Sequence, residues 1–223
     1  MTAHEDPEAD YYAANYRSYE AQNPSRKLDH YVSEVDKACN GISDLALLDI
    51  GCGPGSFLAH ASEVRPNWQL HGTDIRSDAV EVAAVKLGNR AKIGVAQADS
   101  RPFGSTMYDV ITAWDVLEHL EDPAAAVSNL RPWLVPGGAL IFVVPVYDGP
   151  LGPVVSLLDK DPTHLQKKGR DYWVDLARRH FSEISWHGVI RYLVTANRYI
   201  HFPTRRLRRF TPAILVIGHT DQG

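Results

Sequence analysis

Asp49, Asp74, Asp99 and Asp115 each stand at or beside the end of an apolar, strand-like run. Carboxylates so placed can accept hydrogen bonds from amino groups, a ribose diol or an adenine amine. Gly51, Gly53 and Gly55 follow Asp49 at alternate positions, with Cys52 and Pro54 between them. Such a loop brings a ligand against bare main chain. The helical pattern that opens at Ser56 adds free N–H groups and the positive end of a helix dipole. Together these features suit a nucleoside cofactor with an anionic tail. Further along, Asp115, Glu118, His119 and His164 are polar residues that could supply base or metal chemistry. An imidazole titrates near neutral pH, which suits His164 or His119 to proton abstraction.

These residues need strands that end together. Residues 47–50 read as a buried strand running into the glycine turn and a helix. Trp68–Thr73 reads as a second strand ending at Asp74, and Ser77 as the cap of a helix through Leu87, closed by Gly88. Lys92–Gln97 reads as a third strand ending near Asp99, and Tyr108–Ala113 as a fourth leading into Trp114 and Asp115. Asp122 and Pro123 form a cap and first turn for a helix to about Leu134. Pro136, Gly137 and Gly138 turn the chain into an apolar fifth strand, Ala139–Val144. Strands apolar on both faces, alternating with helices, predict a parallel sheet covered on both sides. In such a sheet ligands bind beyond the carboxyl ends of the strands. Residues 6–40 read as two helices, the first carrying Tyr11, Tyr12, Tyr16 and Tyr19. The Pro- and Gly-containing segment 145–169 precedes a helix near 170–180. Residues 193–211 separate two late strands near 183–191 and 212–218.

The string Asp49-Ile50-Gly51-Cys52-Gly53-Pro54-Gly55 resembles the first motif of class I S-adenosylmethionine-dependent methyltransferases. Its G-x-G-x-G spacing differs from the G-x-G-x-x-G of dinucleotide-binding folds. Tyr108-Asp109-Val110-Ile111 and Leu117-Glu118-His119-Leu120-Glu121-Asp122-Pro123 resemble the fourth-strand region of small-molecule members, ubiquinone-biosynthesis O-methyltransferases among them. The resemblance runs from about 45 to 145. It implies an α/β class: a Rossmann-like parallel seven-stranded sheet with the last strand antiparallel, flanked by helices, plus an N-terminal helical extension. It implies S-adenosyl-L-methionine as cofactor, with Asp74 on the ribose hydroxyls and Asp99 on the adenine amine. Asp49 orders the loop or approaches the methionine moiety, and Gly51 and Gly53 form the loop. Cys52, Ile75, Ser100 and Trp114 complete the expected cofactor-binding set. The expected catalytic set is His164, His119 and Asp115. Asp115-x-x-Glu118-His119 with a distant His164 also looks like the metal-ligand arrangement of small-RNA 3′-end 2′-O-methyltransferases, but Asp replaces Glu at its first position, and no metal is expected.

At 223 residues the chain reads as a single methyltransferase domain: a helical cap over 1–40, a cofactor-binding core over 45–145 and a substrate-side insertion over 146–169. Cap and insertion are expected to cover the cofactor's methyl end. A formal charge of −4 argues against nucleic acid as a general partner, although Arg205, Arg206, Arg208 and Arg209 form a short basic run. Two cysteines make no disulfide framework, and no apolar run is long enough to span a bilayer, so a cytoplasmic protein is expected. The expected partner is a small-molecule substrate methylated at O or N; the oligomeric state stays open. A metal-assisted RNA-end enzyme, a non-catalytic cofactor-binding module and a nicotinamide oxidoreductase are the competing readings. The glycine spacing disfavours the last.

Overall fold

The computed structural model describes residues 22–195 and 198–223. The tyrosine-bearing helix expected before residue 22 lies outside the described residues. The elements run α1 (Ser25–Ala38), β1 (Ala46–Ile50), α2 (Ser56–Val64), β2 (Gln69–Asp74), α3 (Ser77–Leu87), β3 (Ala91–Val95) and β4 (Tyr108–Trp114). They continue with α4 (Pro123–Leu130), β5 (Leu134–Pro145), α5 (Gly152–Leu158), α6 (Arg170–His180), β6 (Glu183–Thr195), β7 (Arg198–Thr204) and β8 (Ala213–His219).

One sheet of eight strands has the order β3-β2-β1-β4-β5-β8-β6-β7. β1 to β5 pair in parallel, β8 inserts antiparallel between β5 and β6, and β7 folds back on the upper half of β6. The expected seven-stranded parallel arrangement with an antiparallel closing strand is present, and β7 is an eighth strand within the segment 193–211 that reads as a connection. The chain reverses its direction of travel across the sheet between β1 and β4. That switch point leaves a crevice above their carboxyl ends.

Two apolar layers fill the faces. One joins α1 and α2 to Leu47, Val110, Ile141 and Leu215; the other joins α4 and α6 to Leu48, Ile111, Phe142 and Val216. Alternate strand residues serve opposite layers, as the two-residue period of a strand requires. α1 buries Leu28, Tyr31, Val32, Val35 and Ala38, one helical stripe that seats it on the sheet. Each large side chain so buried contributes about 1.5–3 kcal/mol.

Local signals were read with three corrections. Asp122 caps α4 as expected, accepting from the Ala124 and Ala125 amides at 3.0 Å each. The helix ends at Leu130 rather than near Leu134, because Pro132 cannot donate an amide and the next turn is a 3₁₀ turn, Arg131–Trp133. Ser77 is the first helical residue and not the cap; Arg76 occupies that position, with its guanidinium on Asp78 at 2.8 Å. Pro136-Gly137-Gly138 does not precede β5 but lies within it, as an irregularity against Tyr108 and Val110 with Gly137 at φ 76°.

Candidate active site

The loop after β1 is built for close approach. Gly51, Gly53 and Gly55 have φ of 66°, 51° and 75°, the left-handed region that favours glycine. A Cβ on Gly51 would meet Val116 at 2.5 Å, so the loops after β1 and β4 pack directly on each other. The Cys52 amide donates to the Thr73 carbonyl at 2.8 Å and the Gly53 amide to Asp74 Oδ2 at 2.8 Å. Asp74 Oδ1 accepts from the Arg76 amide at 3.0 Å. Asp74 therefore fixes the loop while its carboxylate stays half-exposed at the strand end. Beside it Ile75 is 68% exposed, an apolar plate open to solvent. Asp99 and Ser100 are exposed, in the turn closed by the Ser100 amide on the Gln97 carbonyl at 3.0 Å. β3 ends at Val95, so Asp99 stands four residues past the strand rather than at its end.

Asp49 is buried and accepts from Thr112 Oγ1 at 2.7 Å, tying β1 to β4. Burial pushes its carboxyl from 3.8 up to about 8, against the Thr112 hydrogen bond. Between those values the folded protein holds a proton that the unfolded chain has released, so this group lowers stability as pH rises through the window. Asp49→Asn is therefore expected to raise Tm at pH 8 and to have little effect near pH 4, read by thermal melting at both. A Tm change that ignores pH would mean that Asp49 is charged throughout.

Past β4 lies a cluster of charged and aromatic groups. Trp114 stacks on Tyr31 of α1 at 3.9 Å with an 8° tilt and meets Phe57 edge-on at 5.2 Å. Asp115 sits at φ 59°, unusual for a residue with a side chain, and pairs with Arg191 of β6. Burial opposes its charge, yet Arg191 and Lys27 hold the carboxyl below the ordinary aspartate value. Lys27 lies over the Tyr31 and Tyr199 rings at 5.6 and 5.3 Å, and burial brings its ammonium down to about 8. Glu118 is fully buried; burial and then the Asp115 charge hold its carboxyl well above the ordinary glutamate range. Among the described residues, both Glu118 oxygens, Tyr31 Oη and Trp114 Nε1 lack a hydrogen-bond partner. Buried polar groups left without partners point to a polar ligand among them.

His164 joins this cluster from the segment after β5. Its Nδ1 lies 2.9 Å from Asp159 Oδ1 and 3.1 Å from Tyr147 Oη. Tyr147 donates to Asp159 Oδ2 at 2.6 Å and Lys167 lies 3.2 Å from the same oxygen. Burial works against the Asp159 charge, but these donors prevail and keep it far below the usual carboxylate range. With Nδ1 so engaged, Nε2 is the nitrogen turned to chemistry, with Asp161 Oδ2 4.0 Å away. His119 Nδ1 lies 2.9 Å from Thr163 Oγ1, its ring is 4.7 Å from that of His164, and burial and then His164 lower its pKa. Ligand atoms of Glu118, His119 and His164 all lie within 4.8 Å of one another. The structure thus brings those three together, while Asp115 turns to Arg191 instead. Asp159, Tyr147, Arg191, Lys27 and Tyr31 were not singled out as site residues in the sequence. The run Asp159-Lys160-Asp161 just before His164 was the one available sign.

The chain matches the family described as "Methyltransferase domain" over residues 14–207. It belongs to that family. This is a class I S-adenosylmethionine-dependent methyltransferase domain, and S-adenosylmethionine is its cofactor. A malonyl-[acyl-carrier protein] O-methyltransferase of Halalkalibacterium halodurans is 33% identical over 103 residues, 44% of this chain and 38% of the relative. A ubiquinone biosynthesis O-methyltransferase of Nitrosomonas europaea is 33% identical over 115 residues, 48% of this chain and 47% of the relative. The matched stretch thus spans half or less of these curated relatives. The plantazolicin methyltransferase BpumL in complex with SAH superposes with a TM-score of 0.68 at 18% identity, covering 98% of this chain and 92% of that one. At that identity the likeness is one of fold. The methyltransferase domain's glycine cradle, strand-end acids and orphaned polar atoms fit such a cofactor. No helix among the described residues is long and apolar enough to cross a membrane.

Proposed function

We propose that this methyltransferase domain methylates a hydroxyl oxygen of a small-molecule acceptor, with His164 as base. The Asp159–His164 pair carries the reading. Bound S-adenosylmethionine supplies an electrophilic methyl on a sulfonium, which needs no acid to leave. The chain's own task is alignment and removal of one proton. His164 Nε2 takes the acceptor's proton as the oxygen attacks, and Asp159, held ionised by Tyr147 and Lys167, stabilises the imidazolium. Tyr31 and Trp114 wall the acceptor, and Lys27 and Arg191 favour one that carries negative charge. α1 and the segment 146–169 serve as the cap and insertion over the methyl end.

In the cofactor half, Asp74 takes the ribose, with Gly51, Cys52 and Gly53 against the methionine part, and Ile75, Asp99, Ser100 and Trp114 around the adenine and sulfonium. Asp74→Ala is expected to weaken S-adenosylhomocysteine binding by more than about tenfold in calorimetry, since a diol loses a charged acceptor and the Gly53 amide loses its tether. Unchanged affinity would remove Asp74 from the site.

The test of function is S-adenosylhomocysteine release with panels of small phenols, alcohols, carboxylic acids and amines, and with a short RNA, each with and without chelator. Turnover on hydroxyl acceptors that ignores chelator supports the proposal. Turnover confined to amines overturns the oxygen acceptor, and cofactor binding without turnover on any panel leaves a binding module. Loss with chelator that is restored by a divalent ion, and that persists in a Glu34→Gln variant lacking the separate His30–Glu34–His187 group, assigns Glu118, His119 and His164 to a metal and removes His164 as base.

A further inference from the structure

We propose that His30, Glu34 and His187 form a site for a zinc-like divalent ion that fastens α1 to the β6–β7 hairpin. The three side chains share no residue with the Glu118–His119–His164 group and take no part in the reaction above. His30 and Glu34 stand four residues apart on α1 and leave the same helix face. His187 comes from β6 and His201 from the neighbouring β7.

The spacing is that of a coordination shell. His30 Nε2 lies 3.3 Å from His187 Nε2 and 3.6 Å from Glu34 Oε1. Two ligands of a tetrahedral zinc, each about 2.05 Å from the ion, sit about 3.4 Å apart. Ligand atoms of all three residues lie within 4.8 Å of one another. His30 Nδ1 lies 2.8 Å from His201 Nε2, so the nitrogen facing away from the site is already engaged, as metal-bound imidazoles require. The cost of this engagement falls on His201, whose buried Nδ1 has no partner among the described residues.

The surroundings agree. The side chains of His30, Glu34 and His187 are 10%, 7% and 8% exposed. Glu34 and His187 also line a cleft of about 540 Å³ that offers entry and a water for the fourth position. Lys37, Arg178, Arg205 and Arg208 line the same cleft and repel loosely held cations. That favours an ion bound by direct nitrogen ligation, as with zinc, over magnesium or calcium. Lys37 holds Glu34 Oε1 at 2.6 Å, but it is 61% exposed and can turn into water when an ion takes the carboxylate. Tyr31 follows His30 directly and meets the His201 ring edge-on at 5.6 Å. The ion would therefore hold the wall against which Trp114 stacks.

The experiment is a titration of the chelator-treated full chain with Zn²⁺ by calorimetry and with Co²⁺ by visible absorption. One equivalent with d–d bands of tetrahedral intensity is expected, together with a rise in Tm. His187→Gln and Glu34→Gln, checked for folding by circular dichroism, are expected to weaken binding by at least about tenfold. His119→Gln and His164→Gln are expected to leave it unchanged. Folded wild type that takes up neither ion overturns the proposal. So does binding that survives His187→Gln and Glu34→Gln, or that disappears with His119→Gln.

Discussion

His164→Ala is expected to lower kcat on the true acceptor by about a hundredfold or more, with S-adenosylhomocysteine affinity unchanged. The reason is positional. His164 is fixed through Nδ1 by Asp159 and Tyr147 and makes no hydrogen bond to the glycine loop or to Asp74. Removing it takes away a proton acceptor without touching the elements that hold the nucleoside. Asp159→Asn is expected to act in the same direction but less strongly, since the imidazole remains while the charge behind it goes. The deficit of both variants is expected to shrink at high pH if the acceptor is acidic enough to ionise unaided. The measurement is a steady-state kcat and KM profile against pH for the three proteins. Near-normal turnover by His164→Ala would leave catalysis to alignment alone.

Arg191→Met is expected to cost about 3 kcal/mol of stability and to lower Tm by about 6–12 °C. Its guanidinium pairs with Asp115, and the two side chains are 17% and 29% exposed, so water relieves only part of the loss. Without it, Asp115 faces the buried Glu118 with only the weaker support of Lys27 and His119. Asp115 also holds a left-handed backbone angle that the pair helps to pin. The double variant Arg191→Met with Asp115→Asn is expected to regain much of the loss, because it removes the orphaned charge rather than exposing it. A single variant melting within about 2 °C of wild type would show the pair to be ornamental to the fold.

The glycine loop and the alternation of strands and helices were legible because they depend on local rules. Glycine types at 51, 53 and 55 announce backbone angles that the structure adopts at all three. β7 was hidden because its alternation runs the wrong way for a hydropathy reading. His201 is 3% exposed, while Ile200 and Phe202 on either side are 48% and 49% exposed. α5 was hidden for a related reason: Val154, Leu157 and Leu158 are 44%, 78% and 61% exposed, so its apolar residues mark no core. In the site, strand ends could be placed by position, but partners could not. Arg191 lies 76 residues from Asp115, and β6 stands three places from β4 in the sheet, so the pair is made by side chains that reach across the strand ends. The Asp159–His164 pair spans five residues, yet a loop of that length can aim its imidazole anywhere until Tyr147 fixes it.

The half-length of β7 leaves the lower part of β6 without a strand on its outer side. β7 pairs from Gly188 upward, and Glu183–His187 pairs only with β8. A bare strand edge is a template for another chain. Here the Arg208 guanidinium lies 4.4 Å over the Trp186 ring, and Lys37, Arg178 and Arg205 crowd the same border. A strand arriving from a second molecule would have to strip water from that cluster of cations to reach the free amides and carbonyls. The basic residues Arg205 and Arg208 thus set charge beside a strand edge whose backbone groups would otherwise stand open to a second molecule.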